Sequence, residues 1–289
     1  MIPSSLSPSY QTNSMEGSCT SILSCRALGG LSLGRCPGTN INLKDIRTCD
    51  QRTSQNHTYF VNPGYPSSFN GTNDCALTVY KAFPYRICQL RLDFLDFETN
   101  RPTNGECDSD RLFISGHNAN SMIPTLCGRN TGQHMYVNVD NVEGPFMVRM
   151  MTSGSGQRRW NIHISQIECN NPSRAPSNCL QYYFGTRGTI QSFNYESTRL
   201  PPQLTTLAPG APIPTDASYL NGMDYAMCFR KEGGFCTQTY TNNGSREEFQ
   251  IINAPRGTAD GPFPVTQANA GVQRCPNDYL VLGGIRYCG

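Results

Sequence analysis

The chain has 289 residues with 14 cysteines, 27 glycines and 20 prolines, only 15% charged residues, and a formal net charge of +2. Such a balance gives no basic face to neutralise a row of phosphates, which argues against a nucleic-acid binder, and no window approaches the roughly 18–20 consecutive apolar residues of a membrane helix. Cysteines scattered without paired CxxC knuckles point to disulfides instead of zinc, and so to a secreted, extracellular protein.

In chain order, residues 1–48 hold Cys19, Cys25 and Cys36 in what reads as an irregular segment, and Met1 to Gln11 lack the basic start and apolar stretch of a signal peptide. From Cys49 onward the pattern is period-2 alternation. The turn Asn62-Pro63-Gly64-Tyr65-Pro66 precedes the run Cys88-Gln89-Leu90-Arg91-Leu92-Asp93-Phe94, whose even positions are apolar, as in a strand with one buried face. Leu112-Phe113-Ile114 is a short apolar run. Met135, Val137 and Val139, then Phe146, Val148 and Met150, then Trp160, Ile162 and Ile164 repeat the alternation, with Ser153-Gly154-Ser155-Gly156 as a hairpin tip. No long amphipathic helix is evident, so the predicted class is all-β, built from two-sheet sandwiches. Sequons at Asn56, Asn70 and Asn243 mark candidate glycosylation sites in exposed loops.

The same landmarks occur twice. Cys49, Tyr59-Phe60, Cys75, Cys88, Cys107-Asp108-Ser109-Asp110-Arg111-Leu112 and Leu126-Cys127-Gly128 are echoed by Cys179, Tyr183-Phe184, Cys228, Cys236, Cys275-Pro276-Asn277-Asp278-Tyr279-Leu280 and Tyr287-Cys288-Gly289. The predicted organisation is therefore an N-terminal segment (1–48), one domain (49–169), a polar linker (170–178) and a second domain (179–289). The first copy continues for about forty residues past Cys127-Gly128, so the second is expected to be incomplete at its C-terminus. Within the second copy, residues 196–218 hold five prolines and read as an extended surface excursion.

These residues resemble the CUB domain, an extracellular β-sandwich module of jelly-roll-like form. The resemblance rests on the Cys49 to Cys75 spacing, the Asn-Pro-Gly-Tyr-Pro turn, Leu90 to Phe94 followed by Phe97-Glu98, Cys107-x-x-Asp110 and Leu126-Cys127-Gly128. The first copy is also similar to an arthropod group of secreted CUB proteins with a cysteine-containing N-terminal stretch, through Ile87 to Phe94, Cys127 to Val137 and Trp160-Asn161-Ile162. The adjacent Cys-Cys pair of that group is absent here, and the pairing of Cys19, Cys25 and Cys36 stays open.

The resemblance implies the pairs Cys49–Cys75 and Cys107–Cys127, and Cys179–Cys228 and Cys275–Cys288 in the second copy. Cys88 is left to pair with Cys169, although Cys169 has the opposite parity to Trp160 and Ile162, so a bulge must intervene. Cys236 then takes the part of Cys88, with a partner expected past Gly289. The resemblance also implies a Ca²⁺ site using Glu98 and Asp110, in loops that receive a partner's lysine. A hard cation needs several oxygen ligands, and the further acid expected before the last strands is replaced by residues 153–156. In the second copy Asp278 persists without a matching Glu.

Enzymatic chemistry finds no support. His57, His117, His134 and His163 form no HExxH arrangement, Ser155 lies in no G-x-S-x-G elbow, and a cysteine nucleophile has no support, since each cysteine can be given a disulfide or a truncation role. His163 and His134 are expected to be exposed or hydrogen-bonded structural residues. Gln157-Arg158-Arg159 reads as a solvated turn, with a processing site as the alternative. The expected function is a non-catalytic extracellular interaction module binding a protein through loops bearing Tyr65, Glu98, Asp110 and Ser153. The alternatives are the non-catalytic region of a larger secreted protease and a carbohydrate-binding or seminal-fluid-type module with a glycan partner. Oligomeric state is not legible.

Overall fold

The computed structural model describes residues 9–12, 15–20, 31–35, 41–198, 219–241, 249, 251 and 269–288. They belong to two compact units, one of Met1–Pro201 with Ile213–Glu232, the other of Pro202–Pro212 with Gly233–Gly289.

The first unit carries fourteen strands among its described residues. They are β1 (Ser9–Thr12), β2 (Met15–Thr20), β3 (Leu31–Arg35), β4 (Ile41–Arg47), β5 (Gln51–Thr53), β6 (Thr58–Val61) and β7 (Asn73–Val79), then β8 (Ile87–Glu98), β9 (Arg111–Ser115), β10 (His134–Asn138), β11 (Phe146–Thr152), β12 (Arg159–Glu168), β13 (Cys179–Tyr183) and β14 (Ala226–Phe229). One sheet runs β1-β2-β4-β6-β12-β8-β10 with β3 beside β4, and the other runs β5-β7-β11-β9. Alternation puts Leu90, Leu92 and Phe94 of β8 and Ile162 and Ile164 of β12 into one core with Leu77 and Val79 of β7 and Val148 and Met150 of β11. The all-β sandwich read from the sequence is the fold observed.

Two irregularities in the β8–β12 ladder adjust that alternation. Trp160 pairs with Phe97 and Asn161 with Asp96, but Ile162 pairs with Phe94, so Leu95 is bulged outward, 47% exposed, and Phe97 returns to the core. At the other end Ile167 pairs with Gln89 and Glu168 with Ile87, so the ladder skips Cys88. That skip resolves the parity conflict and brings Cys88 to Cys169.

The described residues of 1–48 do not form the irregular segment expected from sequence. β1 to β4 extend the larger sheet, and β4 runs parallel to β6 with Asp45 opposite Thr58. The buried Asp45 carboxylate explains the attachment: its Oδ2 accepts the hydroxyl hydrogens of Thr53 at 2.6 Å and Thr58 at 2.8 Å. Nor is the stretch 170–178 a loose linker. Gln89 clasps Ala175 through both amide groups, donating to its carbonyl and accepting from its N–H, each at 2.9 Å.

The chain after Cys179 packs against the first sandwich within this same unit. Leu180, Phe193 and Leu220 join its core cluster. The Asn194 amide donates to Asn130 Oδ1 at 2.7 Å, and the Arg129 amide donates to Asn194 Oδ1 at 3.2 Å. One helical turn, α1 (Tyr195–Thr198), stands where the extended excursion was expected to begin; its remainder, 199–218, lies outside the described residues. At the seam Gly105 has φ +82°, and a Cβ there would lie 2.8 Å from the Tyr219 carbonyl oxygen and closer still to the Asn221 side chain. Gly105→Ala is therefore expected to cost about 1–3 kcal/mol in urea unfolding, since it combines left-handed strain with a backbone clash.

Two fragments of the second copy reproduce the frame of the first. β13 lies parallel to β14 with Cys179–Cys228 across them, as β5 lies parallel to β7 beside Cys49–Cys75. In the second unit, β15 (Asn269–Ala270), β16 (Leu280–Leu282) and β17 (Ile285–Cys288) form a three-stranded sheet in the order β15-β17-β16. There Leu280 pairs with Tyr287 above Cys275–Cys288, the register by which Leu112 bridges Leu126 above Cys107–Cys127. Cys236 is an exposed free thiol.

Candidate functional site

Strand direction gathers the predicted loops at one end of the first sandwich. Thr152 pairs with Asn73, Met151 with Arg111 and Arg159 with Glu98, so β8 and β11 finish where β7, β9 and β12 begin. Phe69 bridges Arg158 alongside.

The inner tier of this end is a buried ion pair. Arg158 and Asp110 have fully buried side chains. Arg158 Nε donates to Asp110 Oδ2 at 2.8 Å and Nη2 to Oδ1 at 2.9 Å, a two-point fork. The carboxylate also accepts the Asn100 amide at 2.7 Å and the Ser153 amide at 3.3 Å. The guanidinium donates onward to the carbonyls of Ser153, Gly154, Gly156 and Gly71 at 2.6 to 3.2 Å. Every lone pair and hydrogen of the pair has a partner, the condition under which a buried charge is tolerated.

The outer tier is a half-exposed polar ladder across β8 and β12. Tyr65 Oη donates to Asp96 Oδ2 at 3.0 Å and accepts from Asn161 Nδ2 at 3.2 Å. Burial, reinforced by Asp96, raises the Tyr65 phenol above its ordinary pKa. Arg159 lies 3.2 Å from Asp96 and 3.8 Å from Glu98, and Arg129 lies 3.6 Å from Glu98. Arg159 Nε and Asn161 Oδ1 are buried atoms without a hydrogen-bond partner among the described residues. Ser153 is exposed, its hydroxyl donating to the Ser109 carbonyl at 2.8 Å.

The structure thus brings Tyr65 and Glu98 onto one surface and puts Asp110 and the Ser153 amide beneath it. Two expectations change. Asp110 cannot touch a partner, because it is enclosed. The Ca²⁺ set of Glu98 and Asp110 does not fit either: each carboxylate is already matched to its own arginine, and the 153–156 loop offers its carbonyls to Arg158. Among the described residues no three His, Cys, Asp or Glu side chains converge as metal ligands.

Of the sequons, Asn70 is exposed with Oδ1 accepting from the Gly156 amide, whereas Asn56 is half-buried, its Oδ1 accepting the Gln166 amide at 2.7 Å. Asn243 lies outside the described residues. Of the histidines, His163 is buried, with Nε2 3.2 Å from His57 Nδ1 and its ring stacked on Tyr59. His134, at the seam with β13, was not singled out as functional; its Nε2 lies 3.1 Å from both the amide nitrogen and the carbonyl oxygen of Tyr182.

Residues 49–163 match the family described as CUB domain, and residues 176–289 match the animal CUB domain. A 94-residue stretch is 27% identical to Cubilin of Sus scrofa, spanning 32% of this chain and 3% of Cubilin. Among solved structures, the MASP-1 CUB2 domain bound to Ca²⁺ is similar over 40% of this chain and 98% of its own, at 15% identity and a TM-score of 0.32. The CUB1-EGF-CUB2 region of human MASP-1/3 is similar over 55% of this chain and 54% of its own, at 12% identity and a TM-score of 0.34.

Proposed function

The chain carries two CUB domains, and from that premise we propose that it is a secreted, non-catalytic module that captures a partner protein through the outer ladder of its first domain. CUB domains are non-catalytic, extracellular protein-interaction modules, and the five disulfides among the described residues suit an oxidising compartment. The observation that carries the reading is the ladder Tyr65, Asp96, Arg159, Glu98, Arg129: aromatic and arginine side chains set by mutual contacts on a half-exposed surface. Tyrosine and arginine held in place this way lose little entropy on binding, which is why they recur as interface anchors.

A photo-crosslinker at Glu98 of the full chain, exposed to the native extracellular fluid, identifies the partner, and surface capture then quantifies it. Tyr65→Ala and Arg159→Ala are each expected to weaken capture at least about tenfold, or roughly 1.4 kcal/mol. Tyr85→Ala, in the exposed loop before β8 at the opposite end, leaves capture unchanged. The reading fails if both ladder variants bind as the parent does, or if Tyr85→Ala is the one that releases the partner.

A further inference from the structure

We propose that Arg158 is the resident cation of this loop end: its guanidinium occupies the electrostatic position a divalent ion would otherwise need, so the end is organised without Ca²⁺. The inference rests on the proposed function and deepens it by stating what holds its binding surface in place. It is tested on the fold and not on partner capture, so either can fail alone.

Three observations converge. First, the geometry around Arg158 is that of a coordination sphere. Both oxygens of Asp110 and the carbonyls of Gly71, Ser153, Gly154 and Gly156 all point at one buried positive group. These oxygens come from three separate stretches of chain, which that group holds together.

Second, the positions from which further acids would be needed are spent or missing. Ca²⁺ takes about 6–8 oxygens. Glu98 faces the arginines Arg129 at 3.6 Å and Arg159 at 3.8 Å, and residues 153–156 carry no acid. Instead their glycines let the backbone curl inward; a Cβ at Gly156 would collide with the Asn100 side chain. Third, the sphere is already neutral, one carboxylate against one guanidinium, so a divalent ion would have to expel a buried arginine from all its partners to enter. A guanidinium covalently fixed to β12 cannot be removed by a chelator, diluted away or exchanged. The outer ladder begins at the next residue, Arg159, and inherits that permanence.

The test uses the full chain. Thermal unfolding in EGTA and in millimolar Ca²⁺ is expected to give midpoints within about 1 °C of each other, since a ligand shifts the midpoint only by binding the folded state. Tb³⁺, a Ca²⁺ mimic, supplies a measurement that needs no variant. The chain's single tryptophan, Trp160, lies two residues from Arg158, and its excitation is expected to give no Tb³⁺ emission that Ca²⁺ competes away. Arg158→Gln removes the internal cation, and in that variant Ca²⁺ is expected to recover part of the lost thermal stability. The proposal is overturned by Ca²⁺-competable Tb³⁺ emission in the parent, or by a parent midpoint raised by Ca²⁺ and no longer raised in Asp110→Asn. It is also overturned by a folded Arg158→Gln chain that ignores Ca²⁺.

Discussion

Arg158→Gln is expected to lower the unfolding free energy by about 3–5 kcal/mol, because it strands a fully buried carboxylate. Asp110 would keep only the Asn100 and Ser153 amides, and the carbonyls of Gly154 and Gly156 would lose their donor. A buried acceptor without a donor carries its desolvation cost undiminished. Asp110→Asn should lose a similar amount for the mirror reason, leaving a guanidinium without its counter-charge. The two losses should not add. Once one partner is gone the other is a liability, so the double variant is expected to be about as stable as either single one. Urea unfolding of the four chains measures the cycle, and additive losses would show that the two side chains act independently.

The second large effect is acid loosening of the seam between the first sandwich and β13. Burial, followed by the nearby Arg91, lowers the His134 pKa from 6.5 to about 4. An uncharged ring can accept the Tyr182 amide hydrogen at Nε2, while an imidazolium can only donate to the Tyr182 carbonyl. Arg91, itself forked to Asp93, and the rings of Tyr136 and Tyr183 complete the surroundings.

Because the folded pKa is depressed, the unfolded chain binds the proton more readily. The contribution is fully present above pH 6.5 and is lost as pH falls through about 4. The window corresponds to roughly 3 kcal/mol at 1.36 kcal/mol per unit. His134→Gln retains a hydrogen-bonding side chain without titrating. The difference in unfolding free energy between parent and variant should therefore fall between pH 6.5 and 4 and be flat above it. A flat difference throughout would mean that His134 charges freely in the folded state.

Much of this was readable where the determinants are local. The alternation of β8 holds from Leu90 to Phe94, and the odd parity of Cys169 announced an irregularity that the skipped Cys88 supplies. It did not announce the second one. Leu95, Asp96 and Phe97 read equally well as a continuing strand, and only pairing with Trp160 and Ile162, some sixty residues on, selects the bulge. Asp110 was legible as an acid in a loop, but its partner was not. Gln157-Arg158-Arg159 looks like a solvated turn because nothing near it in sequence offers a counter-charge; the acceptors arrive from residue 71, residue 110 and residues 153–156. The N-terminal strands were missed for a related reason, since the Asp45 contact with Thr53 and Thr58 depends on strand order and not on periodicity. Leu180, Phe193 and Leu220 are isolated apolar residues in polar text, and isolated residues show no face until a neighbouring sheet supplies one.

The enclosure of Arg158 also decides what digestion of this protein can reveal. A trypsin-like enzyme must draw the arginine side chain into its own pocket and hold several flanking residues extended. Arg158 is locked to six acceptor oxygens and Arg159 is already laddered to Glu98. The dibasic pair is thus a latent cut site, opened only when the surrounding sheets come apart. Appearance of a new terminus after residue 158 or 159 would serve as a clock for that event.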